Sequence, residues 1–282
     1  MPLVTTEKML IDAHNNGYAV AAFNCENTEM IQAVIAAGEE MNAPVIIQTT
    51  PSTISYASAE IFAANASVLA KNSKIPVALH LDHGNTFDLA KSALQAGYTS
   101  IMIDGSQLPF EENIAITKKT VDACKIIGIP VEGELGHVGG KEDDTVAVGS
   151  AYTDPQDAVR FIKETGVSFL AIGVGTAHGI YASKPVLNTE LISVLRKLLP
   201  VPLVLHGSSG LEDAVVRECI TRGISKVNIA TDLRITFTKA VREFLNNDPR
   251  CFDPKKYGAA ARDAVKKIAM ERIVVCGCQG RA

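Results

Sequence analysis

Apolar and polar residues alternate along this chain in blocks and not residue by residue. Eight short runs rich in β-branched residues stand out, at 18–23, 45–49, 77–81, 100–103, 131–134, 169–174, 203–205 and 226–229. They are apolar nearly throughout, as strands buried on both faces are, and lack the every-other-residue pattern of a half-exposed antiparallel sheet. Between them the apolar residues fall three and four apart, the spacing of one helix face. Met30, Ile31, Val34 and Ile35 follow Asn27, an N-cap candidate. Leu89, Ala93 and Ala96 precede Gly97; Ile114, Ile116, Val121, Ile126 and Ile127 lead to Gly128; Ala158, Phe161 and Ile162 lead to Gly166. A glycine after the last apolar position is a helix stop signal. Strand and helix in strict alternation predict parallel strands joined by crossover helices. Eight such units in 282 residues predict an α/β fold, a (β/α)8 (TIM) barrel, which takes roughly 250 residues as one domain. With no linker-like stretch or repeat to divide it, the chain reads as a single domain, 1–282. Residues 136–155 are rich in Gly, Asp and Ser and exceed the roughly 12 residues of an ordinary loop, so they are expected to form an active-site lid.

Composition narrows the partners. Hydrophobic residues make up 47%, and 27 basic against 31 acidic residues leave a net charge of -4, as in ordinary soluble proteins. With no dense Lys/Arg block, aromatics at 5% and no Trp, neither phosphate-backbone neutralisation nor base stacking has material, which excludes nucleic acid. No apolar run reaches the roughly 18 residues of a membrane span, and the start reads as an amphipathic helix with no secretion signal. The six cysteines, Cys25, Cys124, Cys219, Cys251, Cys276 and Cys278, are scattered, as reduced thiols of a cytoplasmic protein are. Cys276-Gly277-Cys278 reads as part of a structural tail.

In a barrel of this kind chemistry sits at the C-terminal ends of the strands. Those ends carry, in order, Asn24, Thr49-Thr50, Asp82-His83, Asp104, Glu134, His178, His206 and Asn228. One such histidine alone more often caps a helix or satisfies a carbonyl. Three on one rim, His83, His178 and His206, suit a metal held with an open coordination position, the catalytic form of a zinc site. His14, on the first helix, and His80, inside a strand, read as structural, and His137 carries no assignment. Small-residue turns after the seventh and eighth runs, Gly207-Ser208-Ser209-Gly210 and Asn228-Ile229-Ala230-Thr231, occupy the usual phosphate site of the fold and predict a phosphorylated substrate. Gly173-Val174-Gly175 begins like a dinucleotide fingerprint, but it lacks the third glycine and sits in the sixth strand, so it is a decoy. No strand end carries a lysine, and Lys226 stands at the start of the eighth run, on the wrong side. With no lysine at the rim to form a Schiff base, polarising a substrate carbonyl there would fall to a Lewis-acid metal.

The motifs Tyr18-Ala19-Val20-Ala21-Ala22-Phe23-Asn24, His80-Leu81-Asp82-His83, Met102-Ile103-Asp104-Gly105-Ser106, Glu132-Gly133-Glu134-Leu135-Gly136, Gly175-Thr176-Ala177-His178-Gly179, Leu205-His206-Gly207 and Lys226-Val227-Asn228-Ile229-Ala230-Thr231 together resemble the class II, metal-dependent ketose-bisphosphate aldolases, including the fructose- and tagatose-1,6-bisphosphate enzymes. The resemblance runs end to end. It implies reversible retro-aldol cleavage of a ketose 1,6-bisphosphate to dihydroxyacetone phosphate and glyceraldehyde 3-phosphate. It makes His83, His178 and His206 ligands of a catalytic Zn2+, and Asp82 the proton-transfer aspartate. Asp104 and Glu134 match a second metal position, for a divalent or monovalent cation. Asn24, Gly179, Lys184, Gly207, Ser208, Ser209, Asn228, Ile229, Ala230 and Thr231 become the substrate-binding set. Residues 139–144 resemble the family's mobile loop, in which Glu142 falls where the base acting on the enolate carbon is expected.

Family members are homodimers or homotetramers, and some tagatose-type enzymes depend on a non-catalytic companion subunit. The complete Asp/His/His/His set argues that this chain is the catalytic member, with the companion role as the alternative. An aldolase for a related phosphorylated ketose is a second alternative. A metal-dependent hydrolase on the same barrel would carry a His-x-His pair on the first strand, where this chain has Phe23-Asn24. The tail 276–282 looks more like the tagatose-type branch.

Overall fold

In a computed structural model of the chain, the eight apolar runs become eight strands with no unpaired edge. The structure describes residues 2–142, 145–147, 152–181 and 185–282, with the backbone alone for 141, 142 and 145–147. The strands are β1 (Val20–Asn24), β2 (Val45–Thr49), β3 (Val77–Gly84), β4 (Ser100–Ile103), β5 (Val131–Leu135), β6 (Gly139–Glu142), β7 (Thr145–Ala147), β8 (Phe169–Ile172), β9 (Ala177–His178), β10 (Leu203–Leu205) and β11 (Ile224–Ile229). Eight of them close in the order β1-β11-β10-β8-β5-β4-β3-β2. The barrel shuts where Val20 of β1 lies opposite Lys226 of β11 and Phe23 opposite Ile229. Every barrel pairing is parallel, so all eight C-terminal ends reach one rim. This is the (β/α)8 barrel that the block pattern predicts.

The helices are α1 (Thr6–Asn16), α2 (Thr28–Met41), α3 (Pro51–Ala57), α4 (Ala59–Asn72), α5 (Phe87–Ala96), α6 (Phe110–Lys125), α7 (Pro155–Thr165), α8 (Thr189–Leu198), α9 (Asp213–Arg222), α10 (Thr231–Asn247) and α11 (Pro254–Cys276). The Asn27 side chain accepts from the Met30 N–H at 2.9 Å and caps α2, whose Met30, Ile31, Val34 and Ile35 are buried. Each such side chain contributes about 1.5–3 kcal/mol by leaving water. Gly97 and Gly166 stop α5 and α7 at φ 105° and 71°, a left-handed conformation that costs glycine little. The C-terminal tail folds back on α2, with the N–H groups of Gly280 and Ala282 donating to the carbonyls of Met41 and Asn42 at 3.0 Å. Cys276 and Cys278 are buried there, and all six cysteines are free thiols. Among the described residues no helix is long and apolar enough to cross a membrane.

Some boundaries differ from the sequence pattern. Strand β3 runs on to Gly84 and carries His83 within it. Strand β11 begins at Ile224, so Lys226 lies inside the barrel and not at the strand's start. Helix α6 ends at Lys125, leaving Ile126 and Ile127 exposed in the turn to Gly128. Within 136–155, expected as irregular, β6 and β7 pair antiparallel, and β6 pairs in parallel with β9, Gly140 lying opposite His178. The glycine-rich stretch has no apolar alternation to announce this hairpin, and its second partner lies more than thirty residues away.

Candidate active site

Three histidines from three strand ends meet on the C-terminal rim. His83 comes from β3 at φ 49°, an uncommon left-handed position for a non-glycine residue, beside an irregularity in the β3–β4 register. His178 comes from β9, and His206 follows β10 directly. Their ring centroids lie 5.1, 4.6 and 6.0 Å apart, with the planes nearly perpendicular. One nitrogen from each ring can be chosen so that all lie within 4.8 Å of one another.

The far nitrogens set the tautomers. His83 Nδ1 is 2.7 Å from Asp104 Oδ2, and His206 Nε2 is 2.9 Å from Glu132 Oε1. Ionised carboxylates only accept, so these nitrogens carry the protons. Burial pushes the Asp104 pKa up, but the bonds from His83 and Ser106 outweigh it and bring it to about 2. Burial likewise raises Glu132, but Lys226 and His206 hold it well below the usual carboxylate range. Burial, and then the neighbouring His83, lower the His206 pKa below that of an ordinary imidazole. The other two nitrogens, His83 Nε2 and His206 Nδ1, lie 2.8 Å apart. With His178 the donor set is three imidazoles, the ligand type that suits Zn2+ in an open site.

Asp82 stands beside this cluster at the end of β3 and is buried. Its Oδ2 accepts from Asn24 Nδ2 at 2.7 Å and Gln48 Nε2 at 3.4 Å, and its Oδ1 from Asn228 Nδ2 at 3.0 Å. Gln48 also donates to Asn24 Oδ1 at 2.8 Å, so three amides hold the carboxylate. Glu134 Oε2 lies 3.9 Å from His83 Nδ1, and His83, Asp104 and Glu134 form a second group able to hold a cation. Here Asp104 is already bonded to the histidine's outer nitrogen, the arrangement that orients a metal ligand.

The two small-residue turns lie together beside His178. Gly207 takes φ 65°, and a Cβ there would meet the Ala177 carbonyl oxygen at 2.7 Å, so nothing larger than glycine fits. The Tyr181 hydroxyl ties β9 to the first turn, accepting from the Ala177 N–H at 2.9 Å and donating to the Gly207 carbonyl at 2.7 Å. Ser208 donates to the Asn228 carbonyl, and Ser209 Oγ accepts from the N–H groups of Ala230 and Asp232 at the start of α10. Gly179, Gly207, Ser208, Ser209, Asn228, Ala230 and Thr231 line one small cavity, with His178 at one side and Arg234 at another. Arg234 is paired with Glu26, Nε to Oε1 at 2.7 Å. The backbone of Glu142 lies in β6, next to the strand that carries His178; Lys184 lies outside the described residues.

Sequence reading missed four of these residues. Gln48, Glu132 and Lys226 are polar interruptions of apolar runs, and that interruption was the available signal. Lys226, set aside as facing the wrong way, donates to Glu132 Oε2 at 2.9 Å with both side chains fully buried. Arg234 lies one turn into α10 and had no local signal.

The family model for class II fructose-bisphosphate aldolases matches residues 4–281. The chain belongs to that family. Membership in this aldolase family brings with it the chemistry of an aldehyde-lyase, reversible carbon–carbon bond cleavage. Solved structures of aldolases share the fold. The YdjI aldolase of Escherichia coli K12 is 39% identical, with a TM-score of 0.89 over 99% of both chains. A Coccidioides immitis protein, which carries the provisional name fructose-1,6-biphosphate aldolase, is 28% identical, with a TM-score of 0.90 over 97% of this chain and 96% of its own. The fructose-bisphosphate aldolase of Campylobacter jejuni, 23% identical, superposes with a TM-score of 0.86 over 100% of this chain and 97% of its own, a likeness of fold.

Proposed function

We propose that this class II aldolase cleaves a ketose 1,6-bisphosphate, fructose or tagatose, to dihydroxyacetone phosphate and glyceraldehyde 3-phosphate. The observation that carries the reading is the meeting of His83, His178 and His206 with ligand nitrogens all within 4.8 Å of one another, with an anchored carboxylate, Asp82, alongside. His83, His178 and His206 would hold zinc, with Asp104 and Glu134 as a second cation position or as the carboxylates that orient His83. Bound there, zinc supplies a Lewis acid for the negative charge that builds on the C2 oxygen as the C3–C4 bond breaks.

The chain's own groups do the rest. Asp82 takes the C4 hydroxyl proton, so that the C3–C4 electron pair can leave C4 as an aldehyde. Its amide partners hold the carboxylate in place without neutralising it. Glu142, on the lid, returns a proton to C3 to complete dihydroxyacetone phosphate. Gly179, the 207–209 turn and Asn228 to Thr231 seat a phosphate at the N-terminus of α10, where backbone N–H groups and the helix dipole favour an anion. Arg234 adds a guanidinium to the same cavity, and Asn24 and Lys184 complete the proposed substrate set. The proposal includes a homo-oligomer, supported by Ile235 and Phe252, which stay exposed on and after α10. It also places the enzyme in the cytoplasm, supported by six free thiols.

The test is dihydroxyacetone phosphate release from fructose 1,6-bisphosphate, tagatose 1,6-bisphosphate and a ketose 1-phosphate by zinc-loaded protein. Release from one bisphosphate, well ahead of the monophosphate, supports the reading. Preference for the monophosphate moves the substrate to the related-ketose alternative, and no release from any of the three contradicts the proposal.

A further inference from the structure

We propose that Glu132, held by Lys226, is a positioning residue that fixes the tautomer of His206 and so turns Nδ1 of that ring toward the other two histidines. The inference rests on the reading of the three histidines as a zinc site.

Glu132, Lys226 and His206 are all fully buried in the barrel interior. The carboxylate is divided between them, with Oε1 accepting from His206 Nε2 and Oε2 from Lys226 Nζ, both at 2.9 Å. His80 Nε2 lies 3.7 Å from Oε2 as well. A buried ion pair is a poor way to stabilise a core, because apolar residues of similar volume do as well or better. What this pair does that apolar side chains could not is accept a proton from one chosen nitrogen of His206. Lys226 gives the buried carboxylate the counter-charge it needs to remain an acceptor.

The alternative tautomer has a ready partner. Asn228 Nδ2, a donor only, lies 3.4 Å from both ring nitrogens of His206. Without Glu132, Asn228 would donate to Nε2, the ring proton would move to Nδ1, and an N–H would point at His83 Nε2. That ring could not bind a cation shared with His83 through Nδ1. A carboxylate behind a ligating histidine is commonly worth about 10–100-fold in metal affinity.

Zinc affinity is measured by competition with a chromophoric chelator for wild type, Glu132→Gln, and the double variant Glu132→Leu/Lys226→Met, which is charge-balanced and leaves no acceptor for His206 Nε2. The visible spectra of their cobalt(II) forms are compared. On zinc-loaded wild type, 15N NMR reads which nitrogen of His206 carries the proton. The expected results are zinc binding weakened about 10–100-fold in folded variants, shifted cobalt bands, and a wild-type proton on Nε2. Wild-type affinity with an unchanged cobalt spectrum in either folded variant overturns the inference, as does a proton on Nδ1. If neither variant folds, the NMR result alone decides. Wild type that takes up no zinc overturns the metal reading itself, and this inference with it.

Discussion

Asp82→Asn separates proton transfer from architecture. The substitution keeps the shape of the side chain but turns one acceptor oxygen into an NH2 group. Facing Asn24, that group would meet a fixed donor, because Asn24 Oδ1 is already engaged by Gln48 at 2.8 Å. Facing Asn228 it can be accommodated, since Asn228 Oδ1 is buried without a partner and the amide can flip to accept. Stability should therefore fall by about 1–3 kcal/mol, the scale of a bond to a charged group becoming neutral. Turnover should fall much further. An asparagine cannot take the C4 hydroxyl proton, and general base catalysis is commonly worth about 10²–10⁴-fold, or roughly 2.7–5.4 kcal/mol of barrier. Zinc should stay, because Asp82 supplies none of the three facing nitrogens. The assay is steady-state cleavage of the preferred sugar, with zinc content and urea unfolding measured on the same preparation. A variant that keeps zinc and turns over within about tenfold of wild type would refute the role given to Asp82. One that loses zinc would refute the separation of base from metal.

Two other outcomes follow from the same geometry. Arg234→Ala should raise KM for the phosphorylated substrate about 10–100-fold with a smaller change in kcat, as expected on losing a charge-assisted bond to a bound phosphate; equal KM values would remove Arg234 from the phosphate cavity. For Asp104, a pKa of about 2 in the folded chain against 3.8 unfolded means stability that is present above pH 3.8 and lost as pH falls toward 2, amounting to about 2 kcal/mol. Urea unfolding of the metal-free protein should therefore show wild type and Asp104→Asn converging as pH falls through that window, and a constant difference would show that the carboxylate is not held by His83.

What was legible in the sequence was what local pattern encodes. Buried strands write themselves as apolar blocks, and the polar residue that ends each block marks the rim, which is how Asp82, His83, His206 and Asn228 could be read from order alone. Polar residues inside a block, Gln48, Glu132 and Lys226, have meaning only once the barrel closes and brings β2, β5 and β11 around one interior. Lys226 shows the limit well. Its place near the strand's start argued against catalysis by its amine, and it gave no hint of the glutamate 94 residues earlier that it holds. The β6–β7 hairpin was illegible for a different reason. Strand β6 is placed by backbone pairing with β7 and β9, and Gly139-Gly140-Lys141-Glu142 carries no apolar alternation, so composition alone reads it as loop.

The account stands or falls on whether carbon–carbon cleavage needs a metal held by His83, His178 and His206. The direct measurement is dihydroxyacetone phosphate release by the purified enzyme before chelation, after chelation, and after zinc is returned. Loss on chelation and recovery with zinc, both absent in His206→Ala, is the predicted result. Cleavage that persists in metal-free protein, and that borohydride abolishes in the presence of substrate, would reveal a lysine Schiff base instead and contradict it.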